Sequence, residues 1–291
     1  MASAARSIAA ALIGAGVAAV GARATRRLIA QRSCASQEAA ARWHRSNFAG
    51  EQVSLTEGPA LAAGLVVGQL ARGAVTGNRL PIATAANTAI AGALGLIDDL
   101  AEADPNAAKG LRGHLGALRR GTLTTGAAKL IGISLSSAAT AAIIARARRR
   151  TRGSAAAAIV VDTVLIAGMT NLVNLFDLRP GRALKVGALL ALPLGAEAFP
   201  LAGAGGAVAS EDLRGGSMAG DAGANALGAA IGCTWAMAMP LPVRAAAAVG
   251  VTALTVASER ISFSRVIAGT PILDRIDRLG TARVAPIASH D

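Results

Sequence analysis

The chain alternates between long apolar runs and shorter polar, arginine-rich connections. The apolar runs cover about residues 7–22, 58–78, 80–97, 126–145, 155–174, 183–210, 222–241 and 243–258. Most approach the ~20 residues that a helix rising 1.5 Å per residue needs to cross a ~30 Å hydrocarbon core. The pattern predicts an all-α fold, a polytopic transmembrane helix bundle of about 9 spans (8–10). It forms one integral membrane domain over residues 1–291, with a cytoplasmic C-terminal tail at 259–291. Several runs are rich in Ala and Gly rather than Leu, which suits close helix packing in lipid. The run at 183–210 is one span or two short helices. About 29 residues separate Leu184 from Asp212, only ~21 Å for each of two crossings, and Pro193 and Pro200 interrupt regular helix, so two short or broken helices are expected.

Composition agrees: 53% of residues are apolar and 16% charged, a membrane composition rather than that of a soluble core. The net charge of +12 in a soluble protein would suggest nucleic acid. Here it lies between apolar segments, with six aromatic residues and no tyrosine, so membrane lipids and an anionic substrate are the expected partners and nucleic acid is not. Arginine carries nearly all of it, 26 residues against three lysines, which base composition explains as well as function does. Cys34 and Cys233 imply no disulfide framework, and His44, His114 and His290 have no metal-ligand spacing. Because many spans follow it, the N-terminal apolar stretch is expected to be an uncleaved first helix rather than a signal peptide.

Three stretches place acids, amides and glycines where a span meets its loop: Leu94 to Leu100, Asn171 to Lys185 and Met218 to Gly232. Acidic groups near hydrocarbon cost a few kcal/mol each and usually face a cavity, a partner or an ion, so three clusters argue for one shared polar site. They share a face only if an even number of crossings separates them. Counting basic residues puts 23–57 (Arg23, Arg26, Arg27, Arg32, Arg42, Arg45) and 100–125 (Lys109, Arg112, Arg119, Arg120) in the cytoplasm, and the site with them. The same parity sends the basic run Arg146 to Arg152 to the opposite side, against the charge rule.

Adjacent carboxylates at Asp98 and Asp99 can orient a divalent cation or accept a proton, or simply end a helix in a solvated loop. Asn171, Asn174 and Asp177, spaced i, i+3, i+6, can share one side of a helix end, or join helices and cap a terminus. The run Gly220-Asp221-x-Gly223 opens the next span, where exposed N–H groups favour an anion. The plain alternative is a glycine turn with Asp221 as cap.

In order, these elements resemble the polyprenyl-phosphate N-acetylhexosamine-1-phosphate transferase superfamily, which includes the phospho-N-acetylmuramoyl-pentapeptide transferases. The matching motifs are a G-x-x-DD element, an N-x-x-N-x-x-D element and a glycine-rich G-D-x-G element, within about Arg45 to Gly232. The resemblance implies that Asp98, Asp99 and Asp221 are catalytic and that Asn174 and Asp221 bind Mg²⁺ (or Mn²⁺). It also implies that Asn171 and Asp177 line the nucleotide pocket and that Lys129, after Thr124-Thr125-Gly126, meets substrate phosphate. Arg182 joins these as a candidate for phosphate charge. The implied reaction moves a sugar-1-phosphate from a UDP-sugar to polyprenyl (undecaprenyl or decaprenyl) phosphate at the cytoplasmic face of the cell membrane, releasing UMP, in cell-envelope polysaccharide synthesis.

The chain departs from the family after Asp177, where Leu178-Arg179-Pro180-Gly181-Arg182 replaces a second acidic element, and it lacks a C-terminal histidine cluster. The missing histidines speak against a muramoyl-pentapeptide donor and leave a simple UDP-N-acetylhexosamine as first choice, with an acidic UDP-sugar second because Arg179 and Arg182 add positive charge. The competing expectation is a non-catalytic scaffold or transporter of the same fold, with intramembrane Asp162 as a relay or helix-pairing residue. The sequence leaves a homodimer open.

Overall fold

A computed structural model describes residues 2–46, 52–101, 121, 124–148 and 151–281. Lys109, Arg112, Arg119, Arg120, Arg149, Arg150 and the end of the tail, with His114 and His290, lie outside them. The fold is an all-α polytopic bundle. Its elements are α1 (Ala2–Ser33), α2 (Gln37–Ala41), a hairpin of β1 (His44–Ser46) and β2 (Gln52–Ser54), then α3 (Glu57–Thr76), α4 (Leu80–Ala101), α5 (Thr125–Ala147) and α6 (Arg152–Phe176). After these come α7 (Arg182–Ala191), a 3₁₀ segment (Leu192–Ala198), α8 (Phe199–Leu213), α9 (Gly220–Ala238), α10 (Leu241–Ser258), α11 (Phe263–Gly269) and α12 (Pro271–Arg278).

Seven stretches among the described residues are long and apolar enough to cross a membrane: Ala5–Ser33, Glu57–Thr76, Leu80–Ala101, Thr125–Ala147, Gly153–Phe176, Arg182–Leu213 and Leu241–Ser258. The protein is therefore a multi-pass membrane protein. The first helix is longer than the apolar run at 7–22, because its basic end from Arg23 to Arg32 continues the same helix. The C-terminal tail from 259 contains two short helices among its described residues.

Arg182–Leu213 is two short arms. At Gly195 the backbone adopts φ 56°, ψ −131°, and Pro193 and Pro200 each open the next helical piece. The Trp235 indole donates to Leu190 O at 2.8 Å, satisfying a carbonyl near the break. The N–H of Gly181, just before the first arm, donates to Asp212 Oδ1 at the end of the second, at 2.6 Å. The chain thus enters and leaves this hairpin at the same end of the bundle. An Arg72–Glu197 ion pair ties its tip to the far part of α3.

α9 is the helix that the others surround. Its four glycines, with Asp221, Asn225 and Thr234, leave it outside the seven apolar stretches, yet 15 of its 19 residues are buried. Small side chains let α3, α4, α6 and α9 approach backbone to backbone, as expected for helices that associate by packing in lipid. Counting the two arms and α9 separately, the described helices pass between the ends of the bundle nine times, within the expected 8–10. Deep in the bundle, Arg244 of α10 bonds Asp162 of α6, and both are almost fully buried. Of the two roles foreseen for Asp162, this contact is helix pairing.

Candidate functional site

The ends of α4, α6 and α8 and the starts of α3, α5, α7 and α9 gather at one end of the bundle. This convergence is what the even-crossing argument required. Arg148, by contrast, donates to Met237 O near the last turn of α9, so the Arg146 and Arg148 segment lies at the opposite end.

Glycine sets the approach of α4 to α9. A Cβ at Gly95 would stand 2.2 Å from Asp221 O, too close for any side chain. Gly220 has φ +57°, and its missing side chain leaves room for Asp99, whose Oδ2 would lie 3.1 Å from a Cβ there. With that space open, Asp99 Oδ1 accepts from the Asp221 N–H at 3.0 Å and Oδ2 from the Ala222 N–H at 2.9 Å. Asp99 is therefore the N-terminal cap of α9, contributed by another helix, and its charge faces the positive end of the helix dipole. Arg45, on the β1–β2 hairpin, holds the Asp99 carbonyl at 2.7 Å.

Asp98 takes a different partner. Lys129, one turn into α5, bridges Asp98 Oδ2 at 2.5 Å and Asp221 Oδ2. Thr124 caps α5 by accepting from Ala127 N at 3.1 Å, which fixes the start of the helix that presents Lys129. Asp177, just past α6, faces the carboxylates of Asp212, Asp221 and Asp99. Loss of solvent, followed by those three negative neighbours, pushes its carboxyl well above the usual range, with the Gly220 N–H opposing.

Two further acids belong to this end. Glu57 opens α3 and accepts from the Ser217 hydroxyl at 2.6 Å, and Asp212 stands beside it. Glu57 Oε1 and Asp212 Oδ2 are buried, and the two carboxyls are near enough to share a proton between them. The hairpin braces the Ser217 loop: Ser54 N donates to Gly216 O and Met218 N to Ser54 O, both at 3.1 Å, with Trp43, Val53, Leu55 and Met218 packed beneath. Six acids, Glu57, Asp98, Asp99, Asp177, Asp212 and Asp221, thus gather at this end, with the ammonium of Lys129 between Asp98 and Asp221 and that of Lys185 acting on Asp212. This excess of carboxylates, with Glu57, Asp99 and Asp212 buried, favours a bound cation or shared protons.

The remaining predicted residues divide. Asn174 is partly buried, and its Oδ1 accepts no hydrogen bond from a described residue. Asn171 instead donates to Thr255 Oγ1 at 3.1 Å, joining α6 to α10. Arg182 is buried and forks onto Asp277 of α12 at 2.8 and 2.7 Å, with Ser264 at 3.0 Å. Among the described residues, no group of three or more His, Cys, Asp or Glu is close enough to form a complete metal site. Neither Glu57 nor Asp212 was among the predicted site residues; the signal for both is an acid placed where an apolar helix begins or ends. No protein-family model, curated protein or solved structure matches the chain.

Proposed function

We propose that this end of the bundle catalyses the Mg²⁺-dependent (or Mn²⁺-dependent) transfer of a sugar-1-phosphate from a UDP-sugar to polyprenyl phosphate at the cytoplasmic face. The observation that carries the reading is the meeting of Asp98, Asp99, Asp177 and Asp221 with Lys129 at the ends of four different helices. In the reaction, a phosphate oxygen of the lipid forms a bond to the β-phosphorus of the UDP-sugar while the β-phosphorus bond to the bridging oxygen breaks and UMP departs. A phosphate monoester has a second pKa near 6, so the nucleophile needs little help from a base. The obstacle is the repulsion between two anions.

The donor set suits a hard cation. Asp221 and Asn174 offer oxygen ligands, the Asn174 oxygen is buried without a hydrogen bond, and Mg²⁺ needs only one or two protein carboxylates, with water and phosphates completing its shell. When bound, the ion supplies positive charge to the pyrophosphate and to departing UMP. Lys129 serves one substrate phosphate by exchanging a carboxylate partner for it. Asp98, less enclosed than Asp99, orients the lipid phosphate, whereas Asp99 holds the start of α9 in place and acts as a positioning residue. Asp177 borders the nucleotide side of the site.

The second reading, a scaffold without activity, draws on a specific observation: Lys129, Asn171 and Arg182 are all satisfied by partners within the chain. Purified protein incubated with Mg²⁺, undecaprenyl phosphate and a panel of UDP-sugars separates the two. Release of UMP that requires both lipid phosphate and metal supports transfer, and its absence across the panel supports the scaffold.

A further inference from the structure

The C-terminal helix α12 carries two faces with different partners. At 100° per residue, Ile272, Leu273, Ile276 and Leu279 fall within an arc of about 120°. All four are exposed to solvent, Ile272 at 72% and Leu279 at 61%. Arg275 borders one edge of that arc and Asp277 the other. Asp277 ties the helix to the bundle: its carboxylate takes the Arg182 fork, and its carbonyl accepts from Lys185. Ahead of it, Phe263 of α11 stacks on Phe176 at the end of α6, with ring centroids 5.1 Å apart. The helix is held on the site end of the bundle with its apolar arc uncovered.

What covers the arc follows from its surroundings. α10, one of the apolar stretches long enough to cross a membrane, leads into this segment with Leu254, Val256 and Ile261 exposed. Exposed Arg260, Arg265, Arg275 and Arg278 lie along the same stretch. A short helix with an apolar face, basic flanks and an anchor where spans end is suited to lie in the headgroup region of an anionic leaflet. We infer that α12 is an interfacial helix whose Ile272–Leu273–Ile276–Leu279 face docks on an anionic lipid surface while Asp277 fastens its other edge to Arg182 and Lys185. This does not depend on the proposed reaction, since it concerns only where the helix lies.

The test uses the full chain with Cys34→Ser and Cys233→Ala, reconstituted into vesicles of equimolar phosphatidylcholine and phosphatidylglycerol. An environment-sensitive fluorophore is attached at Ile272→Cys, Ile276→Cys or, as control, Arg275→Cys. Nitroxide-labelled lipids carrying the quencher near the headgroup should quench the first two probes roughly twofold more than the control. The contrast should weaken in phosphatidylcholine alone. Equal quenching at all three positions overturns the inference, and so does docking undiminished in phosphatidylcholine. Energy transfer between copies without lipid quenching overturns it in favour of a second copy of the chain on this face.

Discussion

Replacing Asp99 by asparagine isolates the work of the second acid in the pair. In the native chain its two oxygens accept the Asp221 and Ala222 N–H groups at 3.0 and 2.9 Å. Asparagine keeps one acceptor, turns an NH₂ toward the other N–H and removes the charge facing the helix end. Losing one charge-assisted hydrogen bond costs ~1.5–3 kcal/mol, and losing the charge at the N-terminus a further ~0.3–1 kcal/mol. The Arg45 bond to the Asp99 carbonyl survives, and relief of Asp177 from a negative neighbour offsets part of the loss. A net destabilisation of ~2 kcal/mol, toward the lower end, corresponds to a fall in Tm of roughly 4–8 °C. Cys233 is buried and supplies the probe: in a Cys34→Ser background, a fluorogenic maleimide reports its exposure as the detergent-solubilised protein is heated. Asp98→Asn is the control. It leaves Lys129 bonded to Asp221, and losing a partly exposed pair should cost under ~1 kcal/mol. Equal shifts in the two variants, or no shift for Asp99→Asn, would refute the capping role and return Asp99 to the substrate.

Three other outcomes are expected. Asp177→Asn should raise Tm by an amount that grows with pH. A carboxyl raised in the folded state contributes fully below its unfolded pKa of about 3.9 and loses that contribution as pH rises through the folded value, so a pH-independent difference counts against the crowding. Gly95→Ala should disrupt the α4–α9 contact and expose Cys233 at ambient temperature, whereas Gly206→Ala, with nothing within 4 Å of the new Cβ, should leave Tm unchanged or slightly higher; similar behaviour of both would contradict the packing. In a background without Cys34 and Cys233, Leu178→Cys should react only with reagent on the cytoplasmic side and Thr151→Cys only from the other. Labelling of both from one side would break the shared-face topology.

The sequence by itself determined that this is a helical membrane protein, because runs of about twenty apolar residues have no other stable use. It also brought the three polar clusters to one face, since parity of crossings depends only on the number of spans. The broken hairpin was legible too, from its shortage of residues and its prolines. The bonding partners were not. Asp98 and Asp99 are adjacent and chemically identical, yet on a helix neighbouring side chains point about 100° apart. One therefore reaches Lys129 while the other caps α9. Arg182 reads as a phosphate ligand until α12, nearly a hundred residues later, supplies Asp277. Glu57 and Asp212 join the acidic cluster only because α3 begins and α8 ends beside α9. These pairings arise from packing between segments distant in the chain, and glycines such as Gly95 decide how closely those segments meet.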